Sequence, residues 1–469
     1  MSKDKLIPEL RFPEFDNEGK WVEKRISELG ETINGLTGKS GADFGAGSPF
    51  VTYKQVFDKS NIDFEKCGKV QVSDNENQNT LGIGDILFTT SSETPNEVGF
   101  ASVLIKAPKE ATYLNSFCFA LRPFNIEETQ PQFSQYLFHS PGYRKSVTTI
   151  AQGSTRYNIS KGAFLNLKLP IPNPKEQQKI ASCLSSLDEV IAAHSQKLEV
   201  LKDHKKGLMQ NLFPQRSLNC DSSDSYDEND LKNQDNQANQ KNHSSDNIPK
   251  YRFKEFENDG EWVFEPFHKV YSFLVTNSFS REFLNYNNGA VKNIHYGDIH
   301  TKFSTLFDLT KESVPFINPE VSIERIREEC YCIEGDIIFA DASEDLNDVG
   351  KSIEIVKLNG EKLVSGLHTL MARQVVRKIE IGFGGYLFKS DRIRKQIQKE
   401  SQGTKVLSIS GTRISNIKIF YPKNPQEQKK IASCLSSLDA LITAQAEKIE
   451  QLKLHKKGLM QGLFPKFED

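Results

Sequence analysis

The side chains best suited to reading a hydrogen-bonding surface fall in three polar loops, and each loop has a counterpart later in the chain. The first comprises Tyr53, Lys54 and Gln55, with an apparent counterpart in the run Lys292, Asn293, Ile294, His295 and Tyr296. The second holds Ser91, Ser92, Glu93 and Asn96, matched by Ser343, Glu344 and Asn347. The third is Gln152, Gly153, Ser154, Thr155, Arg156 and Tyr157, matched by Gln402, Gly403, Thr404 and Lys405. Asn and Gln amides pair bidentately with adenine, Arg and Lys with guanine, and hydroxyls and backbone N–H groups suit phosphate oxygens. Any one such loop reads equally well as a polar surface turn; the recurrence of all three argues for a binding face. Basic side chains lie beside the third loop in both copies: Arg144, Lys145, Arg156 and Lys161 in one, and the basic helix expected over 389 to 405 in the other. Such a stripe meets the charge requirement of a phosphate backbone, or it is a solvated helix face.

The duplication also tests for catalysis, because a motif that arises by accident in one copy tends to be absent from the other. Ile381-Gly382-Phe383-Gly384-Gly385 has the look of a glycine-rich cofactor loop, but residues 130–135, QPQFSQ, stand in its place in the first copy. Glu18-Gly19-Lys20 could pose as part of a nuclease E-x-K, yet the second copy reads Asp259-Gly260-Glu261. Neither a Walker phosphate loop nor the D/N-P-P-Y/F tetrapeptide of adenine methylation occurs in the chain. Cys330 and Cys332 form a C-x-C without a second pair, which suits strand or buried thiols better than zinc. The chain is expected to carry no catalytic residue, metal or cofactor of its own.

Positioning these loops twice requires a repeated scaffold, and the repeat is explicit. Residues 176–214 and 427–465 are near copies that share IASCLSSLD and HKKGLMQ, and RFPEFDNEGKWV at 11–22 returns as RFKEFENDGEWV at 252–263. GDILF (84–88) pairs with GDIIF (335–339), and AQGSTRYNIS (151–160) with SQGTKVLSIS (401–410). Short β-branched and aromatic runs (ILFTT, ASVLI, LKLPIP; DIIFA, SIEIV, IKIFYP) predict mixed α/β modules with curved sheets and polar loops.

The near-identical segments begin Asn-Pro-x-Glu, at Asn173 and Asn424: an N-cap, proline at the first helical position and glutamate three residues after the cap. Apolar residues then step by four and three through Ile180, Leu184, Leu187, Ile191, Leu198, Leu201, Leu208 and Leu212, and through Ile431, Leu435, Leu438, Ile442, Ile449, Leu452, Leu459 and Leu463. This is a heptad seam, and two such seams most simply pack as an antiparallel coiled coil. Uninterrupted, each helix would run about 58 Å, unless Gly207 or Gly458 ends it early. His194 and Gln445 interrupt the seam; Lys205 and Lys456 either fix its register or face solvent near a helix end.

The expected order is a module over 1–172, a spacer helix over 173–214, a flexible polar linker over 215–248, a second module over 249–423 and a second spacer helix over 424–469. The linker, rich in Asn, Asp, Ser and Gln, has too little apolar surface to offset its ordering entropy. A net charge of -2 confines any nucleic-acid footprint to local patches. No apolar run approaches the roughly 18 residues of a membrane span and the N-terminus lacks a signal-peptide pattern, so a cytoplasmic location is expected. Seven scattered cysteines fit reduced thiols.

In the order of these motifs, GDILF and GDIIF, the QGS and QGT loops, the proline-rich strands LPIPNPKEQ and IFYPKNPQEQ, and the helical IASCLSSLD, the chain resembles the specificity subunit of Type I restriction-modification systems. The resemblance implies two target-recognition domains alternating with two conserved helices, each domain reading one part of a gapped, asymmetric double-stranded DNA site. It also implies two methyltransferase subunits as partners, using S-adenosylmethionine, with a restriction subunit using ATP and Mg as an optional addition. The residues expected to meet DNA are Tyr53, Lys54, Gln55, Ser91, Ser92, Asn96, Gln152, Ser154, Thr155, Arg156 and Tyr157 in the first half, and Lys292, Asn293, His295, Tyr296, Ser343, Asn347, Gln402, Thr404 and Lys405 in the second. A self-contained methyltransferase or nuclease, and a coiled-coil adaptor between proteins, are the competing readings.

Overall fold

The computed structural model describes residues 6–215 and 247–466. The expected linker therefore lies, apart from its end residues, outside the described residues. The chain divides into two compact units, Met1–Gln196 with Ala446–Asp469, and Lys197–Gln445. Each unit contains one module, the start of that module's own long helix and the end of the other.

In the first unit a four-stranded antiparallel sheet runs Gly30–Asn34, Cys118–Pro123, Ile86–Thr89, Ala101–Val103. A three-stranded sheet, Gly68–Val70, Phe44–Val51, Tyr113–Leu114, stands beside it. The second unit repeats the plan with one more strand in each sheet: Tyr271–Leu274, Thr369–Gln374, Ile337–Ala340, Ser352–Lys357, Leu306–Asp308, and Leu284–Asn285, Phe316–Ile317, Lys292–Ile294, Leu363–Ser365. The central strands read as unbroken apolar runs because both their faces are covered. Ile86 and Phe88 enter one core and Leu87 the other, and Ile337 and Phe339 are likewise separated from Ile338 and Ala340.

The Gly-Asp before each central strand has a structural purpose. Gly84 and Gly335 take left-handed φ values of 83° and 95°, which glycine tolerates without strain. The buried Asp85 carboxylate then accepts from Gly82 N (2.7 Å) and from Arg122 on the adjacent strand (2.8 and 2.6 Å). Asp336 does the same with Ile333 N (2.8 Å) and Arg373 (2.8 and 2.7 Å).

The long helices run Pro174–Leu212 and Pro425–Gly462, passing through Gly207 and Gly458. In the first unit Asp188 faces Lys456 (2.5 Å), while Phe464 lies near the helix start against Trp21 and Phe133; the two segments are antiparallel. In the second unit Asp439 faces Lys205 (2.5 Å), and Phe213 packs on Trp262 and Phe383. Each aspartate also accepts from a module tyrosine, Tyr136 (2.9 Å) or Tyr386 (2.8 Å). Lys205 and Lys456 thus fix register rather than face solvent. None of the apolar seam residues is exposed, and no helix among the described residues is long and apolar enough to cross a membrane.

The helix-start glutamates depart from the expected capping role. Asn173 Oδ1 does cap Glu176 N (3.0 Å). Glu176 itself is buried and takes Arg11 Nε and Nη2 (2.9 and 2.7 Å) and Trp21 Nε1 (3.1 Å). Glu427 takes Arg252 (2.8 and 2.7 Å) and Trp262 (3.2 Å) identically. This contact accounts for the opening signature of each half. The signature also reaches the other half's helix end: Leu10 N donates to Gly462 O (2.8 Å), and Tyr251 N to Asn211 O (2.9 Å).

The glycine-rich run at 381–385 is occupied from within. Gly382 N and Gly385 N donate to the buried Glu354 carboxylate at 2.9 and 2.7 Å. The corresponding helix of the first unit starts at Pro131, which has no N–H to satisfy. Burial raises the Glu354 carboxyl to about 7 from its ordinary 4.5, the two amides opposing the shift. The folded state therefore holds this proton more tightly than the unfolded chain. Its contribution to stability is complete below about pH 4.5 and is lost as pH rises through about 7. The loss should be on the order of 3 kcal/mol. Denaturant titrations from about pH 4 to about pH 8 should show this slope in the native chain and not in Glu354→Gln; superimposable profiles would contradict it.

Candidate nucleic-acid interface

The third loop is built identically in both units. Gln152 and Asn158 exchange backbone hydrogen bonds (2.9 and 2.8 Å), as do Gln402 and Ser408 (2.9 and 2.8 Å). Gly153 and Gly403 have φ of 141° and 130°, and a Cβ there would stand 2.0 Å from the carbonyl oxygen of Arg156 or Val406. Only glycine closes this turn. Ser154, Thr155 and Arg156 are left exposed at one tip, and Thr404, Lys405 and Val406 at the other, with Tyr157 half-buried behind.

Behind the tip, Tyr157–Asn158 pairs antiparallel with Ser91–Ser92, and Leu407–Ser408 with Ala342–Ser343. The second and third loops are therefore one structure in each unit. Ser91 and Ser92 are buried, Ser92 Oγ donating to Glu97 (3.0 Å), and Ser343 Oγ accepts from Asp345 N (3.1 Å). Asn96 and Asn347 remain exposed. Their loops are braced by an arginine from helix Pro141–Thr149 in the first unit and Asp391–Glu400 in the second. Arg144 donates to the carbonyls of Asn96, Val98 and Gly99 (2.8, 2.8 and 3.0 Å). Arg394 repeats this with Asn347, Val349 and Gly350 (3.0, 2.6 and 2.8 Å).

The first loop joins this assembly through a short helix in each unit, Tyr53–Asp58 and Tyr296–Thr301. Tyr53 donates its hydroxyl proton to Ser91 O (2.7 Å), and burial holds the phenol pKa above its ordinary value. Lys54 is exposed and Gln55 half-buried. In the second unit His300 Nε2 lies 3.1 Å from Ala342 O. The helix starts pair Tyr53 with Tyr296, which corrects the apparent match to Lys292 and Asn293. Those two residues lie on the preceding strand, Lys292 bound to Glu361 (2.7 Å) and Asn293 fully buried with its amide on Ile294 O (3.3 Å). His295 caps the helix by accepting from Gly297 N (3.1 Å); burial, then the neighbouring Arg281, lower its pKa and favour the neutral ring. Of the expected run, Lys292 and Tyr296 are half-exposed, and it is Tyr296 that packs edge-on to His300, the residue touching the second loop's strand.

A family model for the type I restriction modification DNA specificity domain matches residues 18–203 and 297–454. The chain belongs to this family. Among relatives, the type I restriction enzyme MjaVIII specificity subunit of Methanocaldococcus jannaschii is 27% identical over 341 residues, covering 70% of this chain and 68% of the relative. A second chain of that organism, provisionally named the MjaX specificity subunit, is 25% identical over 451 residues, covering 94% and 92%. Two solved structures share the fold. The S subunit of a type I restriction-modification system from M. genitalium aligns over 98% of this chain and 100% of its own, with 14% identity and a TM-score of 0.52. A chain from a structure of complex assembly and conformational transition of the type I system aligns over 95% and 97%, with 14% identity and a TM-score of 0.54.

In this specificity subunit the basic stripes are thinner than the sequence suggests. Arg144 and Arg394 are spent on carbonyls. Arg392 is held between the rings of Phe264 and Phe420 (4.9 Å to each), and Lys389 is bound to Thr305 (2.7 Å). Lys161 meets Asn34. Within the two stripes the exposed cationic side chains are Lys145 and Arg156 in the first unit and Lys395, Lys399 and Lys405 in the second, and Lys54 is exposed on the first loop. A fourth loop also reaches this face, at residues 115–117 and 366–368, and its two copies, Asn-Ser-Phe and Gly-Leu-His, share no residue by which the sequence could have announced it.

Proposed function

We propose that this specificity subunit reads a gapped, bipartite and asymmetric site in double-stranded DNA, one part by each unit, and scaffolds two methyltransferase subunits. Those partners would supply the chemistry, methylating adenine with S-adenosylmethionine; a restriction subunit working with ATP and Mg is an optional addition. The paired long helices would act as a coiled coil that keeps the interval between the two parts of the site constant. The observation that carries this reading is the contrast within the loops: one backbone frame occurs twice, yet its exposed tips differ, Ser154-Thr155-Arg156 against Thr404-Lys405-Val406. A frame kept constant while its tips diverge is what reading two unlike sequences with one docking geometry requires.

Module exchange tests the reading. Replacing residues 1–172 with the corresponding module of another specificity subunit should change one part of the methylated target and leave the other intact, as mapped by sequencing methylated adenines in cells that also express the partner subunits. A change in both parts would defeat the two-module reading.

A further inference from the structure

The fourth loop joins strands Tyr113–Leu114 and Cys118–Pro123 in the first unit, and Leu363–Ser365 and Thr369–Gln374 in the second. We propose that it is an additional base-reading element, with Phe117 and His368 as its specificity-determining residues. The proposal rests on the DNA-reading assignment above.

Main-chain hydrogen bonds fix its position. Thr90 N donates to Phe117 O (3.0 Å), and Thr90 O accepts from Ile159 N (3.1 Å). Asp341 N donates to His368 O (3.1 Å), and Asp341 O accepts from Ile409 N (2.8 Å). Residues 90 and 341 immediately precede the second-loop strands, and residues 159 and 409 immediately follow the third-loop strands. The same three-way junction thus sets the fourth tip against the second and third loops in both units. Because the backbone makes these bonds, the side chain at 117 or 368 is free to vary.

What each unit displays there does vary. Phe117 is 58% exposed although its neighbours Cys118 and Phe119 are core residues, and the Arg156 guanidinium of the third-loop tip lies 5.9 Å from its ring. His368 has φ of 55°, a conformation that non-glycine residues adopt at a cost and that tends to persist at functional positions. Among the described residues the other left-handed non-glycine residue, Asn359, sits in an ordinary Asn-Gly turn. The His368 ring packs edge-on to Tyr296 at 5.3 Å, and its Nδ1 lies 3.2 Å from Asp341 Oδ1. The tip is therefore tied to the first loop as well.

The chemistry differs accordingly. A phenyl ring has no donor or acceptor, so Phe117 can discriminate only through apolar contact, and the thymine methyl group is the apolar feature of the major groove. With Nδ1 engaged by Asp341, His368 has Nε2 for a hydrogen bond to a base edge.

The test is selection of bound duplexes from a randomised library by the full-length chain. Phe117→Ala and the more conservative Phe117→Leu should each lose about tenfold discrimination at one or two base positions in the part of the site read by the first unit. The other part, and the salt dependence of binding, should not change. His368→Ala should do the same in the opposite part. Where the native chain prefers thymine at a Phe117-dependent position, deoxyuridine should weaken native binding and leave Phe117→Ala unaffected. Unchanged base preferences in all three variants would overturn the proposal, as would a uniform loss of affinity with preferences intact. A native chain that enriches no sequence at all would instead defeat the DNA-reading assignment on which the proposal rests.

Discussion

Glu427→Ala should lower the stability of the second unit by about 3–5 kcal/mol, and Glu176→Ala that of the first by a similar amount. The side chains of Arg252 and Glu427 are only 7% and 0% exposed, and Arg11 and Glu176 match them at 7% and 1%. Removing the carboxylate strands a guanidinium and the Trp262 or Trp21 N–H in a site that water does not reach, and an unpaired buried charge costs far more than the net worth of the pair. The double replacement Arg252→Met with Glu427→Met should recover the share of the loss that comes from the unpaired guanidinium, because apolar side chains of similar volume need no partner, and retain the smaller cost of the unpaired Trp262 N–H. Urea titrations of the single and double variants check both outcomes. A single variant within about 1 kcal/mol of the native chain would mean that the pair is surface-like.

That glutamate also marks where the sequence stopped being legible. Asn-Pro-x-Glu locates both helix starts, because an N-cap and a first-turn proline act within a few residues of one another. The true partner of Glu176 is Arg11, 165 residues away, and no local pattern reports a contact of that range. The strand runs were readable for the opposite reason. ILFTT and DIIFA are apolar on both faces because two cores enclose them, and that requirement is written into consecutive residues.

At the interface the same distinction applies. The third loop could be found because its glycine is required by backbone geometry and therefore appears in both copies. Lys292 and Asn293 were misplaced because only strand pairing shows that they lie on the strand before the helix rather than on the loop. Arg144 and Arg394 carry the charge of phosphate ligands, and it is their three carbonyl partners, more than 40 residues distant, that assign them to loop support instead. The fourth tip was invisible to sequence because its place is set by main-chain bonds, which leave no constraint on residue type.

The second large effect expected is that a substitution at the end of one half destabilises the unit built mainly from the other. Phe464 is 3% exposed and packs against Trp21 and Phe133 of the first unit at 6.1 and 5.7 Å. Phe213 is fully buried against Trp262 and Phe383 of the second at 5.9 and 5.7 Å. Truncating a buried phenylalanine to alanine removes its transfer free energy and leaves a cavity, for a loss of about 3–5 kcal/mol. Hydrogen exchange should therefore show Phe464→Ala loosening the sheet around Ile86 and Phe119, and Phe213→Ala loosening that around Ile337 and Met371. The same division of helices predicts that cutting the chain within residues 216–246 leaves the fragments associated. The first fragment supplies residues 197–215 to the second unit, and the second fragment supplies 446–466 to the first. Co-elution of the cut fragments without denaturant, lost on combining Phe464→Ala with Phe213→Ala, is the expected result. Fragments that separate as soon as the chain is cut would show that these exchanged helix ends do not hold the two halves together.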